Sequence, residues 1–142
     1  MKIRPAEIPD YKIMKAYDQF AGDRRLDMQR GELLVADLNE DRAVGYLKLT
    51  SHEFFNRPLI SLVNTHPDFR KKGIASALIK EAVQRAPWRQ VYTSTELSNE
   101  KMQRLLPTLG FAFVGEIKNF NFDGETELIY CYTKSELFPA SS

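Results

Sequence analysis

A nearly continuous apolar run, Leu59–Thr65, passes within seven residues into an amphipathic segment, Gly73–Ala86. The run reads as a strand covered on both faces. In the second segment Ile74, Ala75, Leu78, Ile79, Ala82, Val83 and Ala86 recur as one helical stripe, with Ser76, Lys80, Glu81, Gln84 and Arg85 opposite. A strand feeding such a helix requires helices layered on a sheet, and so makes the chain an α/β or α+β domain.

The remaining segments extend this unit in both directions. Lys2–Arg4 reads as a first strand, and Pro9 and Asp10 open a helix whose shared face is Ile13, Ala16, Tyr17 and Phe20. Ala21–Arg30 is polar and weakly periodic, a loop or a short helix. Glu32–Asp37 and Ala43–Leu49 are β-rich and pair across the turn Asn39-Glu40-Asp41. Gln90–Thr95 returns as a strand, and Ser98 is placed to cap a helix carrying Met102, Leu105, Leu106 and Leu109. Pro107 should distort its last turn, and Gly110 suits its end. Phe111–Phe122 and Glu125–Thr133 alternate around Asp123-Gly124, a hairpin signal. The order is β-α-(loop)-β-β-β-α-β-α-β-β on a mostly antiparallel mixed sheet. Residues 1–134 are read as one domain, and 135–142 as a short frayed tail.

Composition narrows the function classes. Twenty Lys+Arg face 19 Asp+Glu, too even a balance for general nucleic-acid binding, although a local basic cluster can still hold one small anion. The apolar runs are too short to span a bilayer, and the first residues lead into no secretory h-region, so a cytoplasmic protein is expected. The single cysteine, Cys131, forms no internal disulfide, and His52 and His66 match no metal-ligand spacing, so no metal is expected.

The chemistry concentrates in Thr65-His66-Pro67-Asp68-Phe69-Arg70-Lys71-Lys72-Gly73-Ile74-Ala75. Three consecutive cations precede a glycine where a helix begins. First-turn N–H groups lack intrahelical partners, the helix dipole is positive there, and Gly73 removes a Cβ from the path of a ligand. Those features suit a phosphorylated ligand. Taken locally, they suit a solvated basic turn equally well.

Arg70-x-x-Gly73-x-Ala75, after a strand ending in x-x-Pro67, resembles the acyl-CoA pyrophosphate loop of the GNAT (Gcn5-related N-acetyltransferase) superfamily, Gln/Arg-x-x-Gly-x-Gly/Ala. Arg4-Pro5-Ala6…Asp10 is similar to the family's first strand and helix entry. Asn99, Leu105 and Leu109-Gly110-Phe111 resemble its second motif, Asn-x-x-Ala-x-x-Leu-Tyr-x-Lys-x-Gly-Phe. The resemblance covers nearly the whole chain. It implies the GNAT fold, a sheet of about seven strands and about four helices, splayed between the fourth and fifth strands. It further implies acetyl-CoA as cosubstrate, with the pyrophosphate on the amides of Arg70, Lys71, Lys72, Gly73, Ile74 and Ala75. The pantetheine arm would pair with Val63, Asn64 and Thr65, and Asn99 would contact the CoA arm. The activity implied is N-acetyl transfer to a small-molecule or peptide amine by direct attack in a ternary complex.

Two departures bear on mechanism. The tyrosine that often serves as general acid in the second motif is replaced here by Leu106, leaving Tyr92, Tyr130 or Tyr132 as substitutes. The fourth strand reads Leu59-Ile60-Ser61-Leu62-Val63 and carries no carboxylate, so Glu96 is the nearest acidic candidate for the base; its alternative role is a surface carboxylate before a helix. His52, Glu53 and His66 are read as exposed or hydrogen-bonded side chains. A lysine-like amine costs roughly 4–5 kcal/mol to deprotonate at pH 7, an α-amine only about 1 kcal/mol, which favours a low-pKa acceptor. Acceptor contacts are expected from Ala21–Arg30, Thr50–Arg57 and Lys118–Thr126. Cys131 is read as a small hydrophobe rather than a nucleophile. The competing reading is a catalytically weakened acyl-CoA-binding or protein-interaction module. Pairing through the C-terminal strands would give a homodimer.

Overall fold

The first helix begins where a carboxylate turns inward. Asp10 accepts the Glu7 N–H at 2.7 Å, binds Arg4 through both oxygens at 2.7 and 3.0 Å, and receives Arg42 Nε at 3.0 Å. Arg4 also reaches Asp37 at 2.9 Å. Burial alone would raise the Asp10 carboxyl; the two guanidiniums and the Glu7 amide outweigh it and hold it below the usual carboxylate range.

The computed structural model describes residues 1–39 and 41–135. The elements are β1 (Lys2–Pro5), α1 (Ile8–Tyr17), α2 (Arg24–Gln29), β2 (Leu33–Asp37), β3 (Gly45–Phe54), β4 (Arg57–Thr65), one turn of 3-10 helix (Pro67–Phe69), α3 (Ile74–Arg85), β5 (Gln90–Glu96), α4 (Glu100–Thr108), β6 (Ala112–Ile117) and β7 (Glu127–Thr133). The seven strands form a mixed sheet in the order β1-β2-β3-β4-β5-β7-β6, the fold expected from the sequence. No helix among the described residues is long and apolar enough to cross a membrane.

The chain divides into two compact units, Met1–Thr50 with Ile60–Arg85, and Ser51–Leu59 with the residues from Ala86 onward. In the first, β1 and β3 flank β2 antiparallel, with Ile3 opposite Ala36 and Leu34 opposite Leu47. Met14, Leu33, Val35, Ala43 and Tyr46 form a core cluster, joined by Ala6, Ile13, Tyr17, Met28 and Leu62. The α1 face is therefore Asp10, Ile13, Met14 and Tyr17; Ala16 is exposed and Phe20 lies beyond the helix. Hydrophobicity alone misplaces this face, because its first position is a charged residue neutralised by two arginines. Ala21–Arg30 contains the short helix α2, capped by Asp23.

Two other expectations shift. The fourth strand is not covered on both faces: Pro58, Ile60 and Asn64 are buried while Ser61 is exposed, the period-2 pattern of a half-buried strand. Strand β3 starts later than Ala43, whose φ is 52°, and runs on to Phe54. Thr50–Arg57 is strand end, turn and strand start, with Phe55 and Asn56 both at positive φ. Leu38 N–H bonds Asp41 O at 3.0 Å across the expected first turn, whose Glu40 lies outside the described residues.

In the second unit β7 lies between β5 and β6, antiparallel to both, with a bulge between Phe113 and Gly115. The cap of α4 is Asn99, whose side chain accepts the Met102 N–H at 3.2 Å; Ser98, expected in that role, instead donates its N–H to Glu125 at 2.5 Å. Asp123-Gly124 is not a two-residue hairpin turn. Strand β6 stops at Ile117 because Asn119 takes positive φ and Asn121 bonds Glu125 O through both its amide and its side chain. The loop over 118–126 leaves Phe120 and Phe122 exposed. The tail expected beyond Ser135 lies outside the described residues.

Helix α4 ends on Gly110 at φ +93°, where an added Cβ would stand 2.7 Å from the Tyr132 ring. Gly110→Ala should cost about 1–3 kcal/mol through left-handed strain and overpacking, read as a lower urea midpoint at unchanged slope.

Candidate functional site

The cation-rich segment is a turn built almost entirely from main chain. His66 donates its N–H to Val44 O at 2.8 Å as β4 ends, and its Nδ1 accepts the Asp68 N–H at 3.0 Å. Pro67 starts the 3-10 turn, closed by Phe69 N–H on His66 O at 2.9 Å. The chain then leaves extended at Arg70 and passes through positive φ at Lys71 (63°) and Gly73 (77°). Gly73 O accepts the Ala77 N–H at 3.0 Å, which begins α3.

This path leaves donors free. Among the described residues no group accepts a hydrogen bond from the amides of residues 70–76. A Cβ built on Gly73 meets nothing within 4 Å, so the space before these amides is open. The Arg70 guanidinium turns back to Thr65 O at 3.3 Å and ties the loop to β4. Lys72 Nζ lies 5.4 Å from the Phe69 ring centre. Lys71 and Lys72 are exposed, Ile74 is buried, and Ala75 is half-buried.

Of the three β4 residues expected at the cofactor, Val63 and Thr65 are half-buried. The Asn64 side chain points into the first unit, against Tyr17 O at 3.5 Å and the Tyr46 hydroxyl. Only its main chain is left for a ligand. Tyr46 in turn binds Asp18 at 2.5 Å, and burial raises its hydroxyl pKa well above the usual value.

The other expected residues belong to the second unit. Glu96 ends β5, exposed and directly opposite Glu127 on β7. Local desolvation first, and then Glu125, Glu127 and Asp123, push the Glu96 carboxyl above the usual carboxylate range. Glu127 is fixed by Ser94 Oγ at 2.7 Å and Asn121 Nδ2 at 3.1 Å. Tyr130 is buried opposite Thr93, its ring edge-on to Phe113 at 5.8 Å. The Asn99 side chain is engaged as the α4 cap. Leu106, at the position of the family's tyrosine, is a fully buried core residue. Cys131 is buried, with Tyr132 O, Thr133 Oγ1 and the hydroxyl of its cross-strand partner Tyr92 near its sulfur.

Glu125 and Glu127 were not singled out by the sequence reading. Their signal was the β5–β7 register, which sets like charges opposite one another and cannot be read from one strand alone. Among the described residues no three His, Cys, Asp or Glu are grouped to hold a metal.

The Acetyltransferase (GNAT) family profile matches residues 2–111, and the chain belongs to that family. In solved structures the fold is similar to a GNAT acetyltransferase from Bacillus cereus ATCC 10987, with TM-score 0.81 and 24% identity over 95% of this chain and 98% of that one. It is also similar to the ribosomal-protein-S18-alanine N-acetyltransferase of Escherichia coli (0.75, 17%, 98% and 97%). A third is yncA from Salmonella typhimurium, solved with its cofactor acetyl-CoA (0.75, 17%, 100% and 99%). None of the curated proteins matches the sequence.

A carboxyl whose pKa is raised on folding adds stability below its unfolded value, about 4.3, and loses it as pH rises through the folded value. Glu96→Gln should therefore stabilise the protein at pH 7, by about 0.2–1 kcal/mol for relief of a like-charged cross-strand pair, and have no such effect near pH 3.5. Urea titrations of both proteins at the two pH values measure the difference.

Proposed function

We propose that this protein is an acetyl-CoA-dependent N-acetyltransferase whose acceptor is a primary amine. The observation that carries the reading is the run of unpaired amides over residues 70–76, facing open space at Gly73 beside Arg70, Lys71 and Lys72. These groups fit a diphosphate by charge, donor count and lack of bulk. Val63, Asn64 and Thr65 would offer main-chain groups to the pantetheine arm, and Asn99, whose Oδ1 is engaged as the α4 cap, would offer it the side-chain amide N–H. Bound acetyl-CoA supplies an acetyl group already activated as a thioester.

The protein's own residues then have two proton tasks. Glu96 is proposed to take a proton from the incoming ammonium, directly or through water. Its raised pKa makes it a stronger base than a free glutamate, and the neighbouring Glu125, Glu127 and Asp123 favour a cationic acceptor. Tyr130 is the proposed proton donor to the departing thiolate. The amine attacks without an acyl-enzyme: Cys131 is buried, and among the described residues its sulfur faces Tyr132 O, Thr133 Oγ1 and the Tyr92 hydroxyl rather than a histidine or carboxylate. Since an α-amine is cheaper to deprotonate than a lysine-like amine, an α-amino acceptor, free or at a peptide terminus, fits best.

Leu106 favours a second reading, an acyl-CoA-binding module weakened in catalysis, because the position that often carries the acid is closed into the core. Thiol release from acetyl-CoA with a panel of amines separates the two: turnover supports the enzyme, and tight CoA binding without turnover supports the module.

Calorimetry with CoA should show binding that falls at least about tenfold in Gly73→Val, since valine adds bulk in the open space and resists positive φ. Unchanged affinity in a folded variant would refute the cradle. In the active enzyme, kcat/KM should fall as pH is lowered through the raised Glu96 value. Glu96→Gln should lower the rate by about 10²- to 10⁴-fold and abolish that limb of the pH profile.

A further inference from the structure

The turn that delivers the free amides is fastened by an imidazole. His66 Nδ1 accepts the Asp68 N–H at 3.0 Å, a role open only to a neutral ring with its proton on Nε2. The ring stands edge-on to Tyr17 at 5.0 Å and to Phe69 at 5.5 Å, so it cannot swing aside without losing both contacts. Its main chain is held at both ends, by Val44 O and by the Phe69 N–H.

We propose that His66 is a positioning residue that sets CoA affinity through its protonation: the neutral ring holds the Asp68 amide and the turn leading to residues 70–76, and the imidazolium releases it. The affinity claim rests on reading that loop as the CoA site. Histidine changes charge between about pH 5 and 8. When a proton reaches Nδ1, two donors face each other at 3.0 Å and one must leave.

The charged surroundings favour the exchange. From the same turn, the Asp68 carboxylate lies 3.9 Å from Nδ1 and is placed to take the new N–H. From α1, Tyr17 offers a hydroxyl that donates to Ala43 O at 2.5 Å and is kept neutral by burial. From the residue just before β3 comes the Val44 main-chain carbonyl. In the loop, Arg70 is turned to Thr65 O and Lys72 lies over Phe69. A main-chain cap is thereby exchanged for a side-chain ion pair within one turn, and the loop loses its fixed start.

The test compares the wild type with His66→Asn and His66→Ala by CoA calorimetry at pH 8.0 and 5.5. Asparagine can accept the same amide two residues on and does not titrate. Wild type and His66→Asn should bind alike at pH 8.0. At pH 5.5 the wild type should lose about three- to tenfold more affinity, the ionisation of CoA itself being common to both. His66→Ala should bind more weakly at pH 8.0 without the extra loss in acid. Without ligand, the Asp68 amide resonance should move with the imidazole titration in the wild type and stay still in His66→Asn. Identical pH profiles for wild type and His66→Asn, or an Asp68 resonance indifferent to the imidazole, overturn the proposal. No CoA heat from the wild type at pH 8.0 overturns the cofactor reading and the affinity claim together. That outcome differs from the others because binding is then lost at both pH values.

Discussion

A helix must begin with donors that its own hydrogen bonds cannot satisfy, and much of this structure turns on where α3 leaves them. Most helix starts are closed by a side chain, as Asp23 closes α2 and Asn99 closes α4. Helix α3 has no such cap among the described residues, and the loop before it adds further unpaired amides. Water satisfies them at little cost as long as the turn stays exposed, and Lys71, Lys72 and Gly73 are all exposed. An uncapped, solvated and positively charged helix start is stable enough to persist and leaves its binding capacity for an anion. The burial of Ile74, Leu78, Ile79, Ala82 and Val83 makes up for the missing cap.

The chain resolves charge differently at its other end. Asp10 lies at an inward position of α1, a place usually taken by an aliphatic side chain, and four donors from Arg4, Arg42 and Glu7 surround it. Removing one member of such a group leaves an uncompensated buried charge, so it fixes register more than it adds stability. It ties β1, α1 and β2 together through Arg4 and Asp37. Strand β2 pairs in turn with β3, where Val35 faces Tyr46, and Tyr46 with Tyr17 holds the Asn64 side chain inward. The inward turn of Asn64 leaves the end of β4 with main-chain groups to offer.

What could be read from the sequence follows the range of the interactions involved. The stripe of α3, the strands on either side of it and the glycine at the loop are set within a dozen residues, and periodicity recovers them. On α1 periodicity recovers Ile13 and Tyr17 but not Asp10 and Met14, because Asp10 can face inward only once Arg4 and Arg42 reach it. The α4 cap was assigned to Ser98 rather than Asn99 because both are good caps and the choice depends on Glu125, 27 positions away, which takes the Ser98 amide. The Asp123-Gly124 turn failed for a similar reason: Asn119 and Asn121 end β6 five residues before the alternation of apolar residues does. The Glu96 environment depends on cross-strand register and could not be seen at all in a single segment.

The loss of a tyrosine at the second motif has a cost that can be bounded. A thiol has a pKa of about 8.5, so near neutral pH a thiolate leaves with only a modest need for a proton donor. An ammonium cannot attack until it has lost its proton; for a lysine-like amine that costs about twice what the leaving-group proton is worth at pH 7, and for an α-amine less than it is worth. For a lysine-like acceptor the missing acid therefore weighs less than a missing base would, and for an α-amine the two are comparable. The acid's position is closed into the core by Leu106, while a cluster of carboxylates is kept together at Glu96 despite the mutual repulsion it creates. Under the proposed function that grouping would serve a carboxyl that takes up a proton from the acceptor.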